Sequence, residues 1–307
     1  MFLDLQSILI IQQLDKKIAL RNIFSIADVI PSMSKRKVKL VDFILNNMPV
    51  LMIGRANKIG RKYNHLRNDD FAAATMRETG LEMDLIGKEN LDKTGAVTIV
   101  ANHPGGADVM ATAVALGRER KDFAILANKL ICFYLVEEIV ISVDTMSKKK
   151  VDISEVDQAY QDGKVVVFYA AGKNSRYNEE GLLRDRRWRT TFLDFARKYD
   201  TPIHTLKIEG SNSSLFYKVS NFRKRNTWLR NVPLENFFQI REILTANGLL
   251  KMYLSKPIRF KNPKKQETKQ EKRTIADRLY NFLYVMNGNK LDFDEYEESL
   301  RSKAGIR

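Results

Sequence analysis

A histidine and an aspartate stand on either side of a short glycine-rich stretch. The run of β-branched residues from Val97 to Ala101 predicts a buried strand, and Asn102-His103-Pro104-Gly105-Gly106-Ala107-Asp108 follows it directly. The spacing from Val109 to Arg120 then predicts an amphipathic helix. We therefore expect His103 where a strand ends and Asp108 where a helix begins, at the sheet edge where open α/β folds form clefts.

This arrangement suits general base catalysis. A glycine-rich loop can fold tightly enough to turn the carboxylate of Asp108 back onto the imidazole of His103. The carboxylate would hold one ring nitrogen and fix the tautomer, and the other nitrogen could then accept a proton. Because no serine or cysteine accompanies the pair in this stretch, the nucleophile would be the hydroxyl of a substrate.

The spacing alone does not identify the site, because the chain repeats it. The segment 64–70 has the same Asn-His-x4-Asp pattern, but no strand precedes it and its loop lacks glycine. We interpret that copy, with His65, as a solvated polar segment. His204 lies in an apolar stretch with Glu209 at the same spacing, and we interpret it as a core or surface histidine. Sequence context thus selects His103.

Composition and charge narrow the class of protein. The chain has 307 residues, of which 44% are hydrophobic, so it can bury a large core. A net charge of +15 favours an anionic partner such as a phospholipid surface, a nucleic acid or an acidic carrier. The single cysteine, Cys132, excludes an intramolecular disulfide and fits a reducing cytoplasm. No apolar run reaches the ~18 residues of a spanning helix, and the start of the chain does not resemble a signal peptide.

Strands and helices alternate through the middle of the chain. Such alternation predicts an α/β fold with a largely parallel sheet. The predicted strands are Leu81–Leu85, Val97–Ala101, Phe123–Ala127, Glu138–Val143, Lys164–Tyr169, Pro202–Ile208 and Lys251–Ser255 with Ile258. The predicted helices between them are Lys129–Val136, Ile153–Gln161 and Trp188–Tyr199.

Helical extensions are expected at both ends, which gives the domain division 1–75, 76–261 and 262–307. The first part contains the amphipathic stretch Phe2–Phe24 and a helix Leu40–Asn47 with a basic start. These helices either lie in a membrane interface or form a pair packed on the main domain. In the last part, the charge run 261–273 predicts an exposed linker, and Thr274–Met286 and Phe293–Lys303 predict a helical tail.

A second loop carries the residues of an anion site. The predicted strand ending at Tyr169 runs into Ala170-Ala171-Gly172-Lys173-Asn174-Ser175-Arg176. Small residues let a ligand approach the backbone, and a turn containing glycine can offer N–H groups to an anion. Lys173 and Arg176 add positive charge. A P-loop is excluded because its upstream glycine is absent. The alternative is an ordinary turn with surface charges.

Together these two stretches resemble the glycerolipid acyltransferases, the lysophospholipid acyltransferases of the 1-acylglycerol-3-phosphate type. That family has Asn-His-x4-Asp after one strand, matched by Asn102-His103 with Asp108, and Phe-Pro-Glu-Gly-Thr-Arg after another. The second block is matched by Tyr169-Ala170-Ala171-Gly172 followed by Ser175-Arg176, with alanine in place of proline and glutamate. These departures are similar to the hemolysin-like and ornithine- or glycine-lipid acyltransferase branch. Further matches, within a resemblance that covers about Leu81 to Phe260, are Trp188, Pro202, Gly210–Ser213, Leu215–Tyr217 and Leu229–Leu234.

The resemblance implies an enzyme, with 76–261 as its acyltransferase domain on a glycerolipid acyltransferase-like sheet flanked by helices. His103, paired with Asp108, would deprotonate the hydroxyl of a lipid precursor, which would attack an acyl thioester. Acyl carrier protein or coenzyme A would carry that thioester as a co-substrate, and neither a bound cofactor nor a metal is expected. Ala171, in place of the family's glutamate, argues against a plain lysophosphatidate acceptor, and a lysophospholipid and a lyso-aminolipid both remain as acceptors. The residues expected to bind substrate are Asn102, Gly172, Lys173, Ser175 and Arg176.

The expected location is cytoplasmic, peripheral on the inner face of an anionic membrane. Both tryptophans lie in basic clusters, 184–189 and 223–230, which suits either the headgroup layer or partly buried tryptophans beside solvated arginines. A different class remains open, a non-catalytic basic protein that binds membrane or nucleic acid on the same fold. Nucleic acid is not expected as a partner, because the charge is spread along the chain and no binding motif accompanies it.

Overall fold

The computed structural model describes residues 34–127, 138–143, 153–226, 234–260 and 267–303. The helices are α1 Lys35–Asn46, α2 Ile53–Lys62, α3 Asn68–Thr79, α4 Asp108–Glu119, α5 Ser154–Gln161, α6 Thr191–Lys198, α7 Ser214–Arg225, α8 Leu234–Thr245, α9 Lys269–Val285 and α10 Phe293–Lys303, with 3₁₀ turns at Pro49–Leu51 and Lys88–Asn90. The strands are β1 Leu81–Ile86, β2 Val97–Ala101, β3 Phe123–Ala127, β4 Val140–Ser142, β5 Val165–Tyr169, β6 Arg176–Tyr177, β7 Leu183–Arg184, β8 Ile203–Ile208 and β9 Gly248–Leu254.

A seven-stranded sheet in the order β1-β9-β8-β2-β5-β3-β4 forms the centre of the protein. The strands from β8 to β4 pair in parallel, whereas β9 runs antiparallel to β8 and parallel to β1. The predicted fold class, a mixed and largely parallel α/β sheet, is therefore confirmed. Because β2 lies between β8 and β5, the loop that follows it emerges in the middle of the sheet edge.

Helices cover both faces of the sheet. Every residue of β2 and of β5 is buried, which explains their nearly continuous β-branched sequence. Val97, Ile99 and Ala101 pack in a layer with α2, α3, α4 and α8, whereas Val100 packs in the opposite layer with α5, α6 and α9. The strand thus positions its carboxyl end rigidly between two cores.

Several predicted elements begin earlier or later than expected. The basic stretch from Lys35 belongs to α1 itself, and α4 begins at Asp108. α6 begins at Thr191, so Trp188 precedes it. β9 begins at Gly248 because it pairs with β1, and Ile258 adds a single antiparallel bridge to β8.

The prediction of an exposed linker over 261–273 is wrong in its last part, because α9 begins at Lys269. A capping box starts this helix: the Thr268 hydroxyl accepts the Glu271 N–H at 3.2 Å, and the Glu271 carboxylate accepts the Thr268 N–H at 2.8 Å. Four of its apolar side chains are buried in the second layer, namely Ala276, Leu279, Phe282 and Leu283. The tail is therefore part of the core that supports the sheet.

Several predictions lie outside the described residues. They are the amphipathic stretch Phe2–Phe24, the helix Lys129–Val136 with Cys132, the cluster around Trp228 and the matching segment 229–233. The division into 1–75, 76–261 and 262–307 stays a prediction. Over the described ranges, none of the helices has both the length and the apolar character that a membrane crossing demands.

Candidate active site

The two loops selected from the sequence leave neighbouring strands side by side. β2 and β5 pair in parallel with Ala101 opposite Tyr169, so the loops that follow them start at the same sheet edge. The N–H of Ser175 donates to the carbonyl of His103 at 2.7 Å and ties the second loop to the first. The fold thus brings the histidine loop, residues 102–107, against the arginine loop, residues 170–176.

His103 and Asp108 form a close pair. Nδ1 of His103 lies 2.6 Å from Oδ2 of Asp108. The same oxygen accepts the N–H of Gly105 at 3.0 Å, and Oδ1 accepts the N–H of Val109 at 2.7 Å. The Asp108 side chain is 1% exposed and lies at the N-terminus of α4, where the helix dipole favours a negative charge. Three donors thus hold the carboxylate, which fixes the orientation of the ring.

The two glycines make this turn possible. Gly105 has φ 140°, and a Cβ there would lie 2.2 Å from the side chain of Asn212. Gly106 has φ 38°, and its Cβ would lie 2.8 Å from that of Glu242. Glycine is needed at both positions because the chain reverses between β2 and α4 against neighbouring side chains.

The environment of His103 makes its imidazole more basic than that of an ordinary histidine. Burial lowers the pKa of His103, but the charge and hydrogen bond of Asp108, with a smaller effect from Asp185, raise it more, so that it lies above its ordinary value of 6.5. Arg176 opposes this rise. When Nδ1–H donates to Asp108, Nε2 is the basic nitrogen, and the Nδ2 of Asn174 lies 3.4 Å from it.

Asn102 bonds the main chain of a neighbouring strand through both the nitrogen and the oxygen of its side-chain amide. Its amide nitrogen donates to the carbonyl of Ile208 at 2.9 Å, and its oxygen accepts the N–H of the same residue at 2.7 Å. This paired contact clamps the end of β2 to the end of β8. The side chain of Asn102, which the sequence analysis assigns to substrate binding, is thus engaged in a contact between two strands.

The predicted binding residues of the arginine loop differ in their surroundings. Gly172 has φ 62° and its N–H donates to the carbonyl of Tyr169 at 2.9 Å, which closes a turn. Lys173 is exposed, whereas Ser175 is buried and its hydroxyl donates to Asp185. The Ser175 side chain therefore anchors the arginine loop to Asp185. Gly172 and Lys173 remain on its accessible side.

Arg176 is half-buried and held by the loop that carries it. Its guanidinium donates to the carbonyls of Asn174 at 3.1 Å and Ser175 at 3.0 Å. It also lies over the rings of Phe216 and Tyr217, at 5.1 and 5.9 Å from their centroids. The guanidinium is therefore fixed beside the loop rather than extended into solvent.

Three residues near His103 are absent from the sequence-based set. Tyr169 places its ring 4.7 Å from the imidazole, and Asn174 lies beside Nε2. Asp185 accepts the main-chain N–H of His103 at 3.2 Å. Asn174 lies within the predicted loop, so its position was a usable signal. Asp185 was hidden because arginines surround it in sequence.

The tryptophan of the first basic cluster is buried. Trp188 is 1% exposed, and its indole N–H donates to Asp185 at 3.0 Å. For this residue the headgroup-layer interpretation is wrong, because the ring packs in the core beside Phe192 and Tyr280. The neighbouring Arg186 is exposed, as the alternative interpretation expects.

The other two histidines lie elsewhere. His65 is exposed after the end of α2, in accordance with a solvated segment. His204 is buried in β8, with Nδ1 2.8 Å from the carbonyl of Ser255, and burial lowers its pKa. Across the part of the chain with described structure, no three metal-binding side chains are grouped.

Comparison with known proteins identifies the family of the chain. A family model described as acyltransferase matches residues 26–284, and the chain belongs to that acyltransferase family. Two relatives are named lyso-glycine lipid O-acyltransferase, from Bacteroides thetaiotaomicron and Phocaeicola vulgatus. Each is 28% identical over 159 residues, which is 50% of this chain and 58% or 57% of the relative. The chain therefore matches less than two thirds of the length of these relatives.

One solved structure is similar over much of the chain. It is the 1-acyl-sn-glycerophosphate (LPA) acyltransferase from Thermotoga maritima, with 15% identity and a TM-score of 0.42, covering 69% of this chain and 75% of that one.

Proposed function

We propose that this protein is an O-acyltransferase that moves a fatty acyl group from a thioester to the hydroxyl of a lyso-lipid. The observation that carries the proposal is the 2.6 Å contact between His103 Nδ1 and a buried Asp108 carboxylate, at the carboxyl end of the central strand β2. The family match supports the reaction class.

The pair can supply both proton transfers of such a reaction. Nε2 of His103 takes the proton from the acceptor hydroxyl, whose oxygen attacks the thioester carbonyl carbon. A C–O bond forms, the C–S bond breaks, and the thiolate leaves with the proton that the imidazolium returns. Asp108 stabilises that imidazolium and keeps Nδ1 protonated throughout.

The acceptor that we propose is a lyso-aminolipid of the glycine-lipid type. Support comes from the names of the two relatives and from Ala171, a buried small residue where glycerolipid acyltransferases have glutamate. The donor would be a thioester of acyl carrier protein or coenzyme A, and the chain's net charge of +15 suits either acidic donor.

Lipid mass spectrometry of cells tests this acceptor directly. Cells that lack the protein should accumulate a mono-acylated aminolipid, and cells that overproduce it should convert that lipid to the O-acylated form. Accumulation of lysophosphatidate instead would replace the proposed acceptor with a lysophospholipid. Unchanged lipids in both strains would favour the non-catalytic binding protein.

Arg176→Lys is expected to raise the Michaelis constant for the acceptor by roughly 10-fold to 100-fold while leaving that for the thioester unchanged. A guanidinium can bond a carboxylate or phosphate through two N–H groups, which an ammonium does not reproduce. Steady-state kinetics with each substrate varied in turn would measure this.

Two variants serve as controls for that experiment. Lys173→Ala should have a smaller effect, because the exposed Lys173 ammonium is solvated and cannot make the bidentate contact of a guanidinium. Arg189→Lys tests a rival, since a Cβ on Gly172 would lie only 3.7 Å from the Arg189 guanidinium carbon. An acceptor defect confined to Arg189→Lys would move the anion-binding role to that residue. A defect in Arg176→Lys that is confined to the thioester would place Arg176 on the donor side.

We also propose that α1 binds an anionic membrane surface from the cytoplasmic side. One side of the helix, with Val38, Val41 and Leu45, packs against the core. The other exposes an apolar stripe that includes Phe43, which is 68% exposed, and a basic first turn precedes it. The two interpretations left open by the sequence are therefore compatible, since the helix packs with one face and presents another.

Phe43→Asp is expected to weaken binding to anionic vesicles by about 10-fold or more, because one buried phenyl ring is worth roughly 1.5–3 kcal/mol. Binding should also weaken with salt, since each basic residue near the surface contributes ~1 kcal/mol that ions screen. Vesicle sedimentation measures both effects. Leu300→Asp, at an exposed apolar position on α10, is the matched control. Equal binding to neutral and anionic vesicles at every salt concentration would contradict the electrostatic part.

A further inference from the structure

We infer that Asp185 is a positioning residue that locks the histidine loop to the arginine loop and places a second negative charge beside His103. This inference rests on the proposed function, in which His103 is the base. The carboxylate of Asp185 accepts hydrogen bonds from three parts of the chain. Oδ1 accepts the His103 N–H at 3.2 Å and the Ser175 hydroxyl, and Oδ2 accepts the Trp188 indole N–H at 3.0 Å.

The β6–β7 hairpin brings Asp185 to this place. Arg176 pairs with Arg184 across the hairpin, so the residues just outside this pair, Ser175 and Asp185, meet at its open end. The Asp185 side chain is buried, and a buried carboxylate is tolerated only where donors surround it. The donors around Asp185 are neutral. Among the described contacts, no direct ion pair compensates its negative charge.

Helix α9 bonds the backbone of the same residue. The Asp185 N–H donates to the Tyr284 hydroxyl at 2.7 Å, and the Tyr280 hydroxyl donates to the Asp185 carbonyl at 2.9 Å. Arg184 lies over the Tyr284 ring at 4.0 Å. The helical tail thus reaches the two loops through Asp185, which gives α9 a role in the site as well as in the core.

The negative charge of Asp185 acts on His103, the proposed base. His103 is faced by Asp108 from α4, by Asp185, and by Arg176 from the arginine loop. The two carboxylates raise the pKa of His103, and the guanidinium lowers it. Burial raises the pKa of Asp185, an effect that its hydrogen bonds to Ser175, Trp188 and His103 oppose. Removing the charge of Asp185 should therefore lower the pKa of His103.

Asp185→Asn, in the full chain, is the main test. The asparagine keeps one acceptor oxygen but loses the charge and one acceptor, so we expect turnover to fall roughly 10-fold to 100-fold with both Michaelis constants unchanged. The acid limb of the pH profile should move to lower pH. Asp277→Asn, which removes an aspartate paired with Arg187 on the surface of α9, should change neither.

A second variant keeps the test decisive if Asp185→Asn does not fold. Tyr284→Phe removes one hydroxyl and leaves the carboxylate, so turnover should fall by about 3-fold to 10-fold, with the acid limb in place. Wild-type turnover and an unchanged pH profile in Asp185→Asn, or wild-type turnover in Tyr284→Phe when the first variant is unfolded, would overturn the inference.

An NMR titration separates this inference from the proposed reaction. The imidazole signal of His103, assigned by its loss in His103→Ala, should titrate at lower pH in Asp185→Asn than in the wild type, whatever the substrate is. An unshifted titration would overturn the electrostatic part of the inference even if acyl transfer is observed. A shifted titration without acyl transfer would instead reject the proposed function and leave the coupling of Asp185 to His103 standing.

Discussion

His103→Ala is expected to lower acyl-transfer turnover by ~10²–10⁴ while the protein stays folded. The expected loss is that of a general base, because alanine cannot take the hydroxyl proton that Nε2 accepts in the proposed reaction. The imidazole is near the surface of the site, with 12% of its side chain exposed, so its removal leaves the cores on both sides of the sheet intact. Initial rates of acyl transfer, with a circular dichroism melt as the folding check, would measure the effect.

The repeated motif provides the matched control. His65→Ala removes the histidine of the upstream copy. That histidine has the same spacing from an asparagine and an aspartate as His103 has, but it lies on an exposed turn. We expect wild-type turnover for this variant. Loss of activity in His65→Ala together with full activity in His103→Ala would show that the active site belongs to the upstream copy.

Asp108→Asn is expected to lower turnover by about 10²–10⁴ with nearly unchanged substrate binding. The carboxylate oxygens accept hydrogen bonds from Gly105, Val109 and His103. An amide would turn a donor towards one of these N–H groups and would favour the wrong tautomer of the imidazole. It would also remove the charge that stabilises the imidazolium. Turnover numbers and Michaelis constants, measured separately, distinguish these effects from a loss of binding.

The pH profile adds a second readout to the Asp108 variant. In the proposed reaction neutral His103 is the active form, so wild-type turnover should rise with pH through its pKa, which lies above 6.5. Without the charge of Asp108 the pKa falls, and the acid limb of the residual activity should move to lower pH. Asp70→Asn, the exposed counterpart in the upstream copy, should change neither the rate nor the profile. An unchanged turnover with a larger Michaelis constant would assign Asp108 to binding.

Local sequence signals were sufficient to predict the sheet and the His103 loop. A β-branched run, two glycines and a helical spacing are all adjacent in sequence, so they identify the turn without knowledge of the fold. The same kind of signal was present at α9, where Thr268 and Glu271 form a capping box. The charge run around them obscured it.

The contacts that decide each polar residue's role are not local. Asn102 and Ile208 are 106 positions apart, and their contact depends on β2 pairing with β8. Ser175 and Asp185 meet only because the β6–β7 hairpin reverses the chain. The motifs therefore selected two loops that the structure brings together. They did not show which side chains are bonded within those loops, as Ser175 is, and which are exposed, as Lys173 is.

Acyl transfer by the purified full chain tests the central claim most directly. The protein would be incubated with a fatty acyl thioester and a lyso-glycine lipid in anionic vesicles, and the products would be followed by mass spectrometry. The O-acylated lipid should form in step with release of the thiol. It should be absent with His103→Ala or with an acceptor that lacks the hydroxyl. Binding to the vesicles without any acylated product from the lyso-glycine lipid or from lysophosphatidate would contradict the account and indicate a non-catalytic membrane-binding protein.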